Sequence, residues 1–429
     1  MRFFTALRTN AAVLALPVTG LFFAYVFFAT KGRMSHFASL PWPAEAAAFA
    51  IHAPVPLAAA AAAGLAAVEA TRLRALGVWE TGPARSAVRI AVQPVFFVVL
   101  TMATLMACVT AGALSIAGAA PDIYVLQLFG MVVVLLTAHA VIGFLLGQRF
   151  HALYSAPLVS IAVFVGISFP LGTSNWWAHH VTGAIGRISF GEAYSLPMTI
   201  AAVVPTVCLA LALVVAIGPR RIRVGAVVLS LAIAASGLLG AYAITREWSS
   251  FAPVAEGLAP VTCEGGAPEV CMPAAGSEDL GEVQTELAGM TTRLRARGII
   301  SEIPTRVTDI TVSRTRQSDT AGKEWTLDLA AGSPGGVPWD GVAIGVVGMP
   351  CRTPDWNTLH YSTLWTARTM GVADDYLAWL SRESRSFRTG DGKEQLLAEM
   401  DRVNALPPDE QKTWYVEQLR LSCQGGRSG

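Results

Sequence analysis

Residues Val125 to Leu146 read VLQLFGMVVVLLTAHAVIGFLL, an apolar stretch that contains no Asp, Glu, Lys or Arg. A helix needs about 20 such residues to cross a hydrocarbon core of about 30 Å, so this stretch reads as a membrane-spanning helix. Working outward, six more stretches have the same character: Ala11 to Ala29, Ala46 to Val68, Ile90 to Ala113, Pro157 to Leu171, Leu196 to Ile217 and Val224 to Ile244. The expectation is therefore a polytopic protein of about seven transmembrane helices. The fifth stretch in chain order, Pro157 to Leu171, is the shortest. The second is rich in alanine and broken by Pro54 and Pro56, which membranes tolerate when neighbours satisfy the freed carbonyls. The first follows Arg2 and Arg8 like a secretory signal. Its apolar run is long and no small-x-small cleavage site follows, so it reads as a retained helix.

Composition divides the chain in two. Of its 429 residues 53% are hydrophobic and 14% charged, against about 25% charged in soluble domains. Up to Ile244 the acidic residues are Glu45, Glu69, Glu80, Asp122 and Glu192; the rest follow. A transmembrane domain over 1–244, with a six-span core over 1–220 and a seventh span over 224–244, should precede a soluble α+β domain over 245–429. The net charge of +1 and the lack of a long basic run give no reason to expect a nucleic-acid partner.

Orientation follows from Lys and Arg in the short loops. With the N-terminus in the cytoplasm, the inner segments carry Arg2, Arg8, Arg72, Arg74, Arg85, Arg89, Arg149, Arg220, Arg221 and Arg223, whereas the outer loops carry only Lys31, Arg33 and Arg187. Seven crossings then place 245–429 outside a bacterial cell membrane. Cysteine usage points the same way. Cys108 and Cys208 lie in apolar stretches, while Cys263, Cys271, Cys351 and Cys423 lie in the polar part, where an oxidising compartment favours disulfides. Four cysteines allow three pairings, and the sequence does not choose. Zinc is the rival reading, but the spacing from Cys263 to Cys271 is too wide for a usual knuckle and His360 is the one histidine nearby.

Several chemistries lack their residues. The lysines are Lys31, Lys323, Lys393 and Lys412; Gly322-Lys323-Glu324 and Gly392-Lys393-Glu394 are not phosphate-binding loops. Neither a metalloprotease His-Glu-x-x-His helix nor a Gly-x-Ser-x-Gly elbow is present. Pumps keep costly ionisable groups in the bilayer, yet the spans here hold only His52 and His139 in their interiors, which read as hydrogen-bonding groups between helices. The chain is therefore not expected to be an enzyme, and any energy for transport would come from a separate chain.

The inner segment Glu69 to Arg89 reads EATRLRALGVWETGPARSAVR, and the outer segment Gly172 to Ser195 reads GTSNWWAHHVTGAIGRISFGEAYS. The first can form a short helix bearing Arg72 and Arg74, then turn at Gly82-Pro83. The second can form a short re-entrant or surface-lying helix with tryptophans at the membrane interface. Over roughly 220 residues this layout resembles the membrane (permease) subunits of bacterial ABC exporters of the ABC-2 type. The Ala, Arg and Gly bias with few lysines is similar to that of actinobacterial permease-type proteins. The resemblance implies an ATPase-coupling loop at Arg72, Arg74, Trp79, Glu80 and Arg85. It also implies an outer interfacial helix with Trp176, Trp177, His179 and His180. ATP and Mg would be held by a cytoplasmic ABC ATPase, a second copy or a similar permease would complete the pathway, and membrane lipids would surround it. The chain departs from that family in its seventh span, its large outer domain and its short amphipathic start, Met1 to Asn10.

In the outer domain, Leu280, Val283, Leu287, Met290 and Leu294 form one apolar stripe of a helix from Ser277 to Arg297, with Ser277 as N-cap. Strands are expected at Arg306 to Ser313, Trp325 to Leu329 and Gly341 to Gly348. Helices are expected at Thr358 to Met370, Asp374 to Glu383, Lys393 to Leu406 and Asp409 to Ser422. Asp355, His360 and Ser362 lie close in sequence, but a triad is recognised by geometry, and binding fits this domain better. The leading expectation is a permease subunit exporting a hydrophobic or amphipathic peptide, lipid or antibiotic. The alternative is a membrane-anchored extracytoplasmic sensor or scaffold. A membrane-embedded enzyme would need clustered polar groups that the spans lack.

Overall fold

A computed structural model describes residues 9–31, 40–79, 87–172, 176–186, 188–217, 224–248, 253–312, 323–329, 337–348, 356–383 and 391–424. The chain forms two compact units, one of Met1–Ile188 with Glu192–Glu256 and one of Ser189–Gly191 with Gly257–Gly429.

The first unit contains α1 (Ala11–Lys31), α2 (Pro43–His52), α3 (Pro54–Ala75), α4 (Ala87–Ala117), α5 (Ile123–Arg149), α6 (Ala152–Ser168), α7 (Trp176–Val181), α8 (Leu196–Ile217) and α9 (Val224–Thr245). A two-residue ribbon pairs β1 (Ala193–Tyr194) with β2 (Val254–Ala255). Six helices, α1, α3, α4, α5, α8 and α9, are long and apolar enough to cross a membrane. The chain is thus a helical membrane-embedded protein, and the expected count of seven such helices becomes six among the described residues. The fifth expected span is α6, whose 17 residues give way to a 3-10 turn at Phe169–Gly172. Pro170 in that turn has no N–H to continue the α-helix.

Alanine explains why α3 lies at the centre. It packs against α1, α4, α5 and α6, and its buried face is Ala58, Ala59, Ala62, Ala63, Ala66, Ala67 and Ala70. Lipid tails are as apolar as leucine, so helices in a bilayer associate through close packing and interhelical hydrogen bonds. Both occur here. Gly143 and Gly147, one turn apart on α5, meet the backbone of Ala63 and Ala67 so closely that a Cβ on either glycine would overlap a carbonyl of α3. Thr71 Oγ1 then donates to Gly147 O at 3.0 Å. On the other side of α3, Ser160 Oγ of α6 donates to Ala60 O at 3.0 Å and occupies the space a Cβ on Gly64 would need. The outer helices instead expose large apolar side chains: Leu14, Val18 and Leu21 on α1, and Leu231 and Leu239 on α9. That surface is suited to lipid rather than water.

The second span begins later than its composition suggests. Pro54 breaks the chain into α2 and α3, and α3 runs on through Glu69, Arg72 and Arg74 to Ala75. The short separate helix expected for Arg72 and Arg74 is therefore the last turn of α3. The two histidines also differ from expectation. His139 Nδ1 bonds Leu135 O of its own helix at 2.8 Å, and His52 Nδ1 bonds Ile185 O in the segment after α7. Neither links two spans.

The second unit carries a four-stranded sheet in the order β3 (Val261–Glu264), β4 (Glu269–Pro273), β5 (Arg306–Asp309), β6 (Glu324–Leu327). The β3–β4 pair is antiparallel and the two following pairs are parallel. Val270, Val307 and Trp325 lie in register across three strands and are buried. The helix α10 (Leu280–Ala296) lies against β3 and β4 with its whole stripe buried: Leu280, Val283, Leu287, Met290 and Leu294. Its N-cap position is Asp279 rather than Ser277; Ser277 Oγ donates back to Ala274 O at 3.0 Å. Residues 341–348, expected as a strand, belong to the helix α11 (Trp339–Gly348). Val342, Ala343, Val346 and Val347 are buried at helical spacing, and Gly345 leaves room for Leu327 of β6. A short apolar run cannot be assigned to strand or helix by periodicity alone. The unit closes with α12 (Trp356–Met370), α13 (Ala373–Glu383), α14 (Asp391–Asn404) and α15 (Pro408–Gln424).

Candidate functional site

Four helix termini meet at one end of the first unit. The carboxylate of Glu69, 1% exposed, accepts the N–H of Ala11, one of the unpaired donors at the start of α1, and pairs with Arg72 Nη2 at 3.1 Å. Arg72 also donates to Thr9 O, and Arg74 Nη1 donates to Gln148 O at the end of α5 at 3.3 Å. Arg149 Nη2 donates to Ile217 O, the last residue of α8, at 3.0 Å. Arginines suit these positions because unpaired carbonyls make a helix C-terminus electronegative. The start of α1 and the ends of α3, α5 and α8 are thereby held together by charge-assisted bonds.

Arg72 and Arg74 are thus committed to neighbouring helix ends. Beyond them the chain turns at Leu76–Trp79, with Gly77 at a positive φ of 63° and Leu76 65% exposed. Trp79 lies in that turn. Glu80 and Arg85, expected in the same loop, fall outside the described residues. No sequence signal marks Glu69 as an anchor for α1, because that pairing joins residues 58 positions apart.

The tryptophan-bearing segment after α6 contains α7, which carries Trp176, Trp177, His179 and His180. His180 is buried, its ring 5.3 Å from that of Trp248, just after α9. Gln127 Nε2, near the start of α5, donates to Tyr194 O of β1 at 3.1 Å and to Thr199 Oγ1 of α8 at 2.8 Å. The start of α5, the start of α8, the end of α9 and α7 therefore share one end of the unit. The arginine-rich termini occupy the opposite end.

In the second unit Cys263 and Cys271 stand opposite each other in the β3–β4 hairpin and form a disulfide. Glu269 lies beside them, but both sulfurs are consumed by the bond, so the group is not a thiolate metal site. Cys423 is also disulfide-bonded, Cys108 and Cys208 are free thiols, and Cys351 lies outside the described residues. Of the residues considered for a triad, the two described ones bond elsewhere. Ser362 is fully buried and donates to Leu359 O at 3.2 Å, while His360 Nδ1 meets Tyr376 Oη at 2.9 Å. Asp355 lies outside the described residues. Burial raises the Tyr376 phenol above its ordinary range and pushes that of Tyr415 up to about 12, so both stay neutral at physiological pH.

Asp309 is the other buried polar centre, at 0% exposure. It ends β5 by accepting Thr311 N at 2.7 Å and Leu329 N at 2.9 Å, as well as the Thr311 hydroxyl. Burial raises its pKa above the ordinary carboxylate range, against the pull of those hydrogen bonds and with a further push from Asp328. Its role is to tie β5 to the chain leaving β6. No protein-family model, curated protein or solved structure matches this chain.

Proposed function

We propose that the chain is the membrane-spanning permease subunit of an ABC-2-type exporter, powered by a separate cytoplasmic ATPase that holds ATP and Mg. The carrying observation is the placement of two segments at opposite ends of one helical unit. The turn after α3 lies with the arginine-rich termini, and α7 lies at the far end between α6 and α8. That is the arrangement in which ATPase docking and outer closure fall on opposite membrane faces.

The bond from Arg149 to Ile217 supports an odd number of crossings. It puts the ends of α5 and α8 together, so the chain between them must travel the length of the bundle and back. At about 1.5 Å per α-helical residue and about 2.0 Å per 3-10 residue, α6 with its following turn reaches about 33 Å, against the ~30 Å hydrocarbon core. On this reading α6 is the fifth of seven crossings, the arginine-rich end faces the cytoplasm of a bacterial cell, and residues 257–429 lie outside. The transported molecule is hydrophobic or amphipathic, and a second copy or a similar permease completes the pathway.

Purification of the full chain in mild detergent should bring down an ATP-hydrolysing partner, and Leu76→Glu at the exposed turn should reduce its recovery several-fold. A chain that purifies alone, with full stability, contradicts the proposal. One observation favours a second reading, a membrane-anchored sensor or scaffold: the outer unit has its own sheet and buried core. A transport phenotype on deletion separates the two, since the second reading requires none.

A further inference from the structure

The helix ends of the second unit line an open cavity of about 430 Å³ that the transport reading does not use. Arg293 lines it from the last turn of α10, Arg297 from the C-cap position just after that helix, and Arg368 from the last turn of α12. Gln411 and Trp365, both largely buried, form part of its wall. The three guanidiniums are not equally committed. Arg293 is a structural cap: its Nε donates to Thr369 O at 3.2 Å and its Nη2 to Met370 O at 2.7 Å. Arg297 makes a single long contact to Gln411 Oε1 at 3.5 Å. Arg368 faces Asp401 at 3.7 Å, and that carboxylate is 76% exposed. Each guanidinium has five N–H donors, so Arg297 and Arg368 keep most of theirs for another acceptor. Lys412 adds a further cation, its side chain lying over Gly298 next to Arg297.

We propose that this cavity binds a phosphorylated small molecule, with Arg297 and Arg368 gripping the phosphate oxygens. Charge selects phosphate over a single carboxylate. Three arginines and the nearby Lys412 against the one exposed carboxylate of Asp401 leave an excess of positive charge that a phosphate carrying about −1.5 to −2 at pH 7 offsets better than a single carboxylate. Planar guanidinium forks suit phosphate geometry and exchange several hydrogen bonds at once. The volume falls within the roughly 300–1,000 Å³ of ligand sites and exceeds what a lone phosphate fills. The rest of the ligand would lie along Ala296 and the accessible edge of Trp365. Gln411 is fixed in the orientation this requires. Its Nε2 donates to Asn404 O at 3.3 Å and Leu406 O at 2.8 Å, which turns its Oε1 toward Arg297.

The inference is independent of the permease proposal, because it concerns binding by the outer unit alone. Inorganic pyrophosphate is the probe, titrated calorimetrically into the detergent-purified full chain at two salt concentrations. Binding should weaken at least tenfold in the double variant Arg297→Gln, Arg368→Gln. It should weaken less in Arg297→Lys, which keeps charge but loses the fork. Arg420→Gln removes a guanidinium paired with Glu417 outside the cavity and should leave affinity unchanged. Displacement of pyrophosphate by phosphatidylglycerol nanodiscs would assign the phosphate to a lipid headgroup, and lack of displacement to a soluble compound; either keeps the site. No pyrophosphate binding by the unmodified chain, or equal loss in Arg420→Gln, overturns it. Matching thermal melts of all variants confirm that the comparison is between folded proteins.

Discussion

The seam between α3 and α5 and the seat of α10 on its sheet solve one problem in two solvents. At the seam the side chains are nearly absent: alanine backbone presses on Gly143 and Gly147, and Thr71 bonds across. On the sheet the side chains are large, and Leu287 and Leu294 each reach 1% exposure beside strand residues such as Val270. Water drives leucines together because burial removes apolar surface from it. Lipid offers no such gain, so the bilayer unit relies on close backbone approach and interhelical hydrogen bonds. Adding volume should therefore break the seam, whereas removing volume should break the sheet unit.

The largest effect is expected at Gly143. Valine there has no room against the Ala63 carbonyl, and the cost should exceed the ~1–3 kcal/mol of ordinary overpacking. A thermal melt in detergent should show the first unit lost. Gly130, also on α5, has nothing within 4 Å of its would-be Cβ, and Gly130→Ala should melt like the parent. Next comes Leu287→Ala, which should destabilise the second unit by about 2–5 kcal/mol and leave the first unit's transition in place. Replacing Cys263 and Cys271 by serine opens a short loop and should cost about 2–3 kcal/mol in the second unit only. With that pair assigned, the pairing expected for the remaining cysteines of the second unit is Cys351 with Cys423, which non-reducing peptide mapping checks.

The smallest effect concerns pH. The folded pKa of Asp309 is raised, so between the ordinary Asp pKa and that raised value the folded state holds more proton than the unfolded one. Stability of the second unit should then fall as pH rises through this window and be fully present below it. Asp309→Asn should flatten that slope, read as melting temperature against pH.

How much of the fold is legible in the sequence differs between the two units for the same physical reason. Apolar length is visible residue by residue, so α1, α4, α5, α8 and α9 fall close to where their composition puts them. The end of α3 is hidden because Glu69, Arg72 and Arg74 look like loop residues until their partners, Ala11, Thr9 and Gln148, are brought beside them. The α6 stretch reads as one continuous apolar run to Leu171, and nothing in its hydropathy shows that its last residues form a 3-10 turn at Pro170. In the second unit the stripe of α10 is clear because helical periodicity is a local signal. The β3–β4 hairpin is not: Val261–Glu264 is exposed throughout and carries no alternation. Residues 341–348 read as a strand because a valine-rich run has no period of its own. The arginines of the cavity are visible only as a favourable helix end, since their convergence with Arg368 and Gln411 depends on three helices packing.

The direction in which the bundle ends point carries the whole functional account. A cytoplasm-active reporter fused before Met1 and a reporter active only outside the membrane fused after Gly429 should both be active in the same cells. If instead both fusions behave as residents of one compartment, α6 does not cross, the arginine-rich end and α7 lose their assigned faces, and the exporter reading is wrong.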